Sequence, residues 1–330
     1  MAQNEQEIHI PVASEDDSND SAYGDDVLSD TTSVASSIHR HRYEHGRRYH
    51  KYREGEYWGP NDDIQNDQLD IAHHMLQLLL DDNLYLAPIT SPRRVLDIGT
   101  GTGIWAIDLA DEHPAAEVTG IDLSPIQPEF LPPNCKFEID DCCLNWTFPL
   151  NHFDLIHIRC LYGSVADWPR LYKEVYNHLE PGGWLNQLEM DIQFKSDDGT
   201  CPPDNILSQW SSTFISAGEA SGKTFKIAER AKPFITAAGF DNVVQTRYKV
   251  PLGGWSSDPK LRELGRWNLL HCYQGAEGWG LFLLTRVLEW SLAEANVFIA
   301  KFKDGLKDRK THAYYEVTVV YGQKPGNPPD

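Results

Sequence analysis

No stretch of this 330-residue chain approaches the roughly 20 consecutive apolar residues of a membrane span. No transmembrane helix is therefore expected. The opening Met1-Ala2-Gln3-Asn4-Glu5 lacks a basic segment followed by an apolar one, so a secretory leader is not expected either. C-x-x-C pairs are missing as well. The six cysteines include an adjacent pair, Cys142 and Cys143, that does not resemble a disulfide framework. Free thiols in a reducing compartment, cytoplasmic or nuclear, are the expectation. Positive charge is scarce: 29 Lys and Arg stand against 49 Asp and Glu, for a net charge of -20. Phosphate affinity comes from Lys and Arg, so direct nucleic-acid binding is disfavoured.

The acidic excess is uneven. Residues 1–37 carry nine acidic side chains and no Lys or Arg, with few large apolar groups. Such a segment cannot bury enough surface to offset its ordering entropy and reads as a disordered tail. Residues 38–57 then turn basic and aromatic. They read as an arm whose tyrosines dock on the body, since Glu44, Glu54 and Glu56 dilute the charge. A nuclear-import or acidic-partner patch is the alternative. The spacing of His39, His41, His45 and His50 fits no standard metal site.

From residue 67 onward helical and strand patterns alternate. A helix is expected over 67–81, where Leu69, Ala72, Leu76, Leu79 and Leu80 follow the helical period. Strands are expected over 94–98, 117–121, 136–139, 153–158, 184–190, 242–250 and 313–321. Helices are expected over 104–112, 168–179 and 227–238. This alternation predicts an α/β fold, a Rossmann-like three-layer sandwich with a seven-stranded, mostly parallel sheet. The last two strands are separated by a helical insertion (251–312), expected as three helices over 261–270, 281–290 and 292–302. Ser291-Leu292-Ala293-Glu294 is a capping box that starts the third. One domain is expected over 38–330, with an N-terminal arm (38–66) and this insertion as a lid.

The chemistry centres on Asp97-Ile98-Gly99-Thr100-Gly101-Thr102-Gly103, between the first main strand and the next helix. A ligand there would sit at the carboxyl end of a strand, where open α/β sheets bind nucleotides. A G-x-G element alone is ambiguous. Three details decide: the spacing is G-x-G-x-G rather than the G-x-G-x-x-G that cradles a pyrophosphate; Asp97 suits a cationic amine better than a diphosphate; and Asp122, about twenty residues beyond the glycines, suits ribose hydroxyls. Asp140-Asp141-Cys142 offers a carboxylate to an adenine amino group, or is a solvated acidic turn. Ribose without diphosphate, plus an ammonium group, describes S-adenosylmethionine (SAM).

Five segments carry a resemblance: RYHKYREGEYWGPNDDIQNDQLDIAHH (48–74), RVLDIGTGTGIWAIDLAD (94–111), VTGIDLSPIQPEFLPPNCKFEIDD (118–141), HLEPGGW (178–184) and YGQKP (321–325). The chain resembles class I SAM-dependent methyltransferases, and more closely their LaeA-like branch in filamentous fungi, across roughly residues 38–325. The resemblance implies that Gly99, Thr100, Gly101 and Gly103 shape the loop around the methionine part of SAM. Asp97 supports that loop or the amine. Asp122 and Leu123 hold the ribose, and Asp141 and Cys142 contact adenine. Arg159 lies beside the sulfonium, and Tyr57, Asn61 and Asp62 fold over the cofactor. Where the family has an acid-rich, Arg-containing segment, this chain has Ile64-Gln65-Asn66-Asp67-Gln68, so the ion pair usual there is in doubt. The resemblance implies either methylation of a small metabolite in fungal secondary metabolism or regulation of secondary-metabolite genes with velvet-type protein partners.

Methyl transfer from a sulfonium is an in-line displacement that needs alignment, worth roughly 7–11 kcal/mol, more than acid–base help. If a base is used, the candidates near the strand ends are His157, Tyr162 and Glu189. Each has a plainer reading: a satisfied strand histidine, a pocket wall, a paired carboxylate. Residues 191–226 and 251–312 are expected to contact the methyl acceptor. Gly218–Thr224 imitates a phosphate loop but is one residue short and follows no strand, so ATP binding is not expected.

Overall fold

The computed structural model describes residues 41–326; the acidic tail expected over 1–37 lies outside them. A hairpin comes first, β1 (His41–Glu44) and β2 (Arg47–His50), followed by α1 (Asp63–Leu79). The main sheet then builds in alternation: β3 (Arg94–Ile98), α2 (Ile104–Glu112), β4 (Glu117–Asp122), β5 (Cys135–Ile139), β6 (Phe153–Arg159), α3 (Trp168–His178) and β7 (Leu179–Met190). After it come α4 (Ile206–Ser221), α5 (Ile227–Ala237), β8 (Asp241–Pro251), α6 (Pro259–Phe282), α7 (Leu292–Gly305) and β9 (Tyr314–Gln323).

The seven strands lie in the order β5-β4-β3-β6-β7-β9-β8. Every neighbouring pair from β5 to β7 is parallel, while β9 runs antiparallel to both β7 and β8. The strand order reverses beside β3, so β3, β4 and β6 open a crevice at their carboxyl ends. Alternation sets the two faces. Leu96 and Ile98 of β3 join Ile156 and Ile158 of β6 under α3 and α5. Val95, Val118 and Leu155 point the other way and pack on Trp105 and Leu109 of α2. A third cluster joins α1, α4, α6 and α7 at the β7–β9 end of the sheet.

The strand and helix expectations agree with the structure to within a few residues, apart from an early start of β7 and a longer α1. Three features differ. The hairpin β1–β2 was not foreseen, nor was α4, capped by Asn205 at its start and closed by Gly222 in the left-handed region. That helix end is what imitated a phosphate loop. The first helix expected in the insertion continues to Phe282 as α6, while most of the second, expected over 281–290, is a π-turn at Leu283–Val287 followed by non-helical residues. Glycine weakens a helix interior, yet α6 carries Gly275, Gly278 and Gly280. They are contact points: a Cβ on Gly278 would come within 2.4 Å of the Gln65 side chain, and one on Gly280 within 2.9 Å of Ile299.

Among the described residues no helix is long and apolar enough to cross a membrane. All six cysteines are free thiols.

Candidate functional site

The loop after β3 is held by its own backbone. Gly99, Gly101 and Gly103 all have positive φ (69°, 60° and 81°), the region that side chains disfavour. The Gly99 and Thr100 N–H groups donate to Ile121 O at 2.9 and 3.0 Å, and Gly103 N–H donates to Thr100 O at 3.0 Å. The Gly101 N–H donates to Asp122 Oδ2 at 2.9 Å. These four donors are consumed within the fold. A diphosphate cradle needs such N–H groups free, so the loop is built to lie against a ligand rather than to grip phosphate.

Asp122 closes the floor. Besides Gly101 N–H, it accepts Ser124 N–H on Oδ1 at 2.9 Å. Each carboxylate oxygen keeps a lone pair for a ligand hydroxyl. Burial pushes its pKa up to about 6, against the pull of these N–H groups. Asp141, at the end of the next strand, accepts Cys143 N–H at 2.9 Å and Arg53 Nε–H at 3.1 Å.

Arg53 brings in the N-terminal arm. The segment from Glu56 to Asn61 forms one wall of the cavity, with Tyr57, Trp58, Pro60 and Asn61 among the lining residues. Two latches hold it: Arg53 to Asp141, and Lys223 Nζ to the Glu56 carboxylate at 2.8 Å. At its far end buried Arg47 donates to both oxygens of Asp62 at 2.6 and 2.8 Å, and Asp62 caps α1 through Gln65 N–H. In the Ile64–Gln68 segment an amide relay stands where an ion pair was in doubt: Gln65 Nε2 donates to Gln68 Oε1, and Gln68 Nε2 to His271 Nδ1, both at 2.6 Å.

The cavity brings together Tyr57, Gly99, Thr100, Gly101, Asp122, Leu123, Asp141, Cys142, Arg159 and Tyr162. Five expected residues do not line it, and the first, Asp62, is the α1 cap held by Arg47. Asp97 is buried beneath the loop, where it accepts the Thr100 hydroxyl at 2.6 Å; burial pushes its pKa up to about 6. It supports the loop. Gly103 leaves room for Phe137, whose ring atoms would lie 2.3 Å from an added Cβ. His157 is stacked on Trp105 (centroids 3.8 Å apart, planes 7° from parallel) and accepts from Asn186 Nδ2 at 3.2 Å. Burial drives its pKa well below the histidine range. It is a core residue, because Asp97 and His157 share a register row that faces α2. Among the described residues Glu189 pairs with no cation. Its two oxygens accept the Leu161 and Tyr162 N–H groups, both at 3.2 Å, and burial pushes its pKa up to about 7. It shapes the chain after β6 and stands behind the cavity wall.

Arg159 does line the cavity. Its Nη1 donates to His73 Nδ1 at 2.9 Å, and His73 Nε2–H donates to Asp108 at 2.8 Å. Behind the cavity lies a second chamber, walled by Phe194, Trp210, Phe214, Phe225 and Tyr315. The two spaces share Trp58, Tyr162, Met190, His271 and Trp279. Sequence reading missed Trp58, Gln68 and His271. The helical period of α1 would have put Gln68 on the buried face beside Ala72; nothing local marks His271.

A methyltransferase domain model matches residues 71–217. The chain is 42% identical over 303 residues to Methyltransferase pytC of Aspergillus terreus, covering 91% of this chain and 93% of that one. It is 38% identical to Secondary metabolism regulator LAE1 of Cochliobolus heterostrophus, covering 86% and 94%. It is also 33% identical to Protein-methionine methyltransferase laeA of Emericella nidulans, covering 92% and 81%. The loop, the acid after β4 and these relatives agree: the chain belongs to the LaeA-like fungal family of SAM-dependent methyltransferases.

Proposed function

We propose that this methyltransferase acts on a small metabolite, and that its cofactor is held as follows. Asp122 takes the two ribose hydroxyls on its remaining lone pairs. Asp141 and the Cys142 backbone meet adenine, with Arg53 sharing the Asp141 carboxylate. The Gly99–Gly103 loop lies along the methionine part. A guanidinium disfavours a neighbouring sulfonium, so Arg159 suits the methionine carboxylate better. Tyr57 closes the arm over the site. Bound SAM supplies a methyl group already activated by its sulfonium; the protein supplies alignment and exclusion of water.

The observation that supports the small-acceptor reading is the aromatic-walled chamber that shares five lining residues with the cofactor cavity. A macromolecular acceptor would need an open groove at that point. Among the described residues no carboxylate or histidine at the junction is set up as a strong base: His157 and Glu189 stand behind the walls, burial lowers the His271 pKa to about 4, and burial holds the Tyr162 hydroxyl far above neutral pH. Incubation of the purified protein with methyl-labelled SAM and a fungal small-molecule extract tests this. Label in an extractable small product is the expected result; label appearing only in protein would count against it.

The relatives named as secondary metabolism regulators support a second reading. In that reading the chain acts on gene expression with a velvet-type protein partner, in the nucleus. Affinity capture from a fungal lysate, with localisation of a fluorescent fusion, separates the two.

A further inference from the structure

Among the described residues several ring N–H groups at the junction of cavity and chamber have no acceptor, those of Trp58, His271 and Trp279. Trp58, buried and lining both spaces, leaves its Nε1–H without a partner among the described residues. A second belongs to His271 of α6, which is also buried and lines both spaces. Its proton can be placed by following the amide relay. Gln65 donates to Gln68 Oε1, so Gln68 presents its NH2 to His271 Nδ1. Nδ1 therefore accepts, and the neutral ring carries its proton on Nε2. Burial lowers the ring's pKa to about 4 and keeps it neutral. Among the described residues Nε2 takes no hydrogen bond.

Of the chamber's other polar side chains those of Asp191 and Tyr315 are partnered, whereas the indole N–H groups of Trp210 and Trp279 are not, among the described residues. Asp191 pairs with Lys195 at 2.8 Å, and the Tyr315 hydroxyl donates to Asn268 at 2.7 Å. No Lys or Arg lines the chamber among the described residues. Among the described residues the space is thus walled by rings, carries no free charge, and is lined by residues with unmet donors: the indole N–H groups of Trp58, Trp210 and Trp279, Nε2–H of His271 and the Tyr162 hydroxyl. A buried donor left unmet is costly, and an oxygen on an otherwise apolar guest would satisfy it.

We propose that the methyl acceptor is an apolar ring compound bearing an acidic hydroxyl, a phenol or enol, whose oxygen accepts a hydrogen bond from His271 Nε2–H. Trp58 Nε1–H is a further unmet donor beside it. This rests on the small-metabolite reading above and names its substrate class. The acceptor reacts as its oxyanion, its proton already released to solvent, because both ring nitrogens of His271 are committed and cannot receive it. The oxygen's electron pair forms the new O–CH3 bond as the S–CH3 bond breaks, and sulfur keeps that pair. An anion and a sulfonium cation give a neutral methyl ether and S-adenosylhomocysteine.

The test compares two probes that differ by one hydroxyl, 2-naphthol and naphthalene. Their binding to protein saturated with S-adenosylhomocysteine is measured by equilibrium dialysis. For the unaltered protein, H271F and W58F, the quantity read is the ratio of the two affinities. One lost neutral hydrogen bond lowers the naphthol-to-naphthalene ratio about tenfold in H271F, and by a similar factor in W58F. S-adenosylhomocysteine binding, titrated separately for each variant, shows that the site is folded. A ratio unchanged in both variants that still bind S-adenosylhomocysteine overturns the proposal. Naphthalene that fails to enter the unaltered, cofactor-loaded protein overturns it too. Failure of the unaltered protein to bind S-adenosylhomocysteine would instead strike the underlying methyltransferase reading.

Discussion

Asp122 carries more of the site than any other side chain. It pins the glycine loop through Gly101 N–H, orders the turn at Ser124, and presents a lone pair on each oxygen to the cavity. Burial raises its pKa to about 6, so the carboxylate is ionised above that value and protonated below it. A protonated acid loses acceptor capacity toward the ribose. SAM affinity should therefore hold steady above neutral pH and fall below about pH 6, approaching tenfold per pH unit. In D122N, which does not titrate, that dependence should flatten; calorimetric titrations at several pH values check it. The glycines make a second prediction at this scale. Gly103 has φ 81° and would place a Cβ against Phe137, whereas Gly101 at φ 60° meets only Leu69 at an ordinary 3.5 Å. G103A should thus destabilise by about 3 kcal/mol, clearly more than G101A. Denaturant unfolding of both variants measures the difference.

Among the elements, the N-terminal hairpin and α6 respond to residues that local patterns do not reveal. Arg47 is buried and bidentate on Asp62, the cap of α1. R47A should cost about 3 kcal/mol, because it strands a half-buried carboxylate, and should loosen the arm that walls the cavity. Faster amide exchange confined to 41–62 would accompany the loss of stability. In α6 the sign of an ordinary helix substitution reverses. Exchanging glycine for alanine in a helix interior normally stabilises by about 1 kcal/mol. At Gly278 the new methyl would meet Gln65, so G278A should destabilise, and thermal denaturation decides the sign. These elements also mark what the sequence makes legible. Strands β3 to β6 and helix α2 follow from period-2 and period-3.6 patterns that burial on the two sheet faces enforces. The hairpin carries polar residues on both sides, and α4 mixes serines into its buried face, so neither pattern stands out. The glycines of α6 accommodate Gln65 and Ile299, partners remote in the chain that no local pattern reveals.

Across the whole molecule the site is assembled from segments far apart in sequence. The arm supplies Arg53 to Asn61, the sheet's crevice supplies the loop, Asp122, Asp141 and Arg159, and α6 supplies His271 and Trp279. The cofactor side was readable because one loop and the ends of two strands contain it, and family resemblance covers the same segments. Reading went astray where three-dimensional register decides. His157 follows the strand-end pattern of a catalytic residue, yet alternation turns it toward Trp105. Glu189 looked like half of an ion pair, yet its charge serves two backbone N–H groups. The acceptor side was open in sequence because two of its donors, Trp58 and His271, are more than two hundred residues apart. Everything in this account depends on SAM lying between the glycine loop and Asp122. Calorimetric titration of the unaltered protein and of D122A with SAM tests that directly. Two lost charge-assisted hydrogen bonds, about 1.5–3 kcal/mol each, should weaken binding at least a hundredfold. Equal affinity in the two proteins would contradict the account.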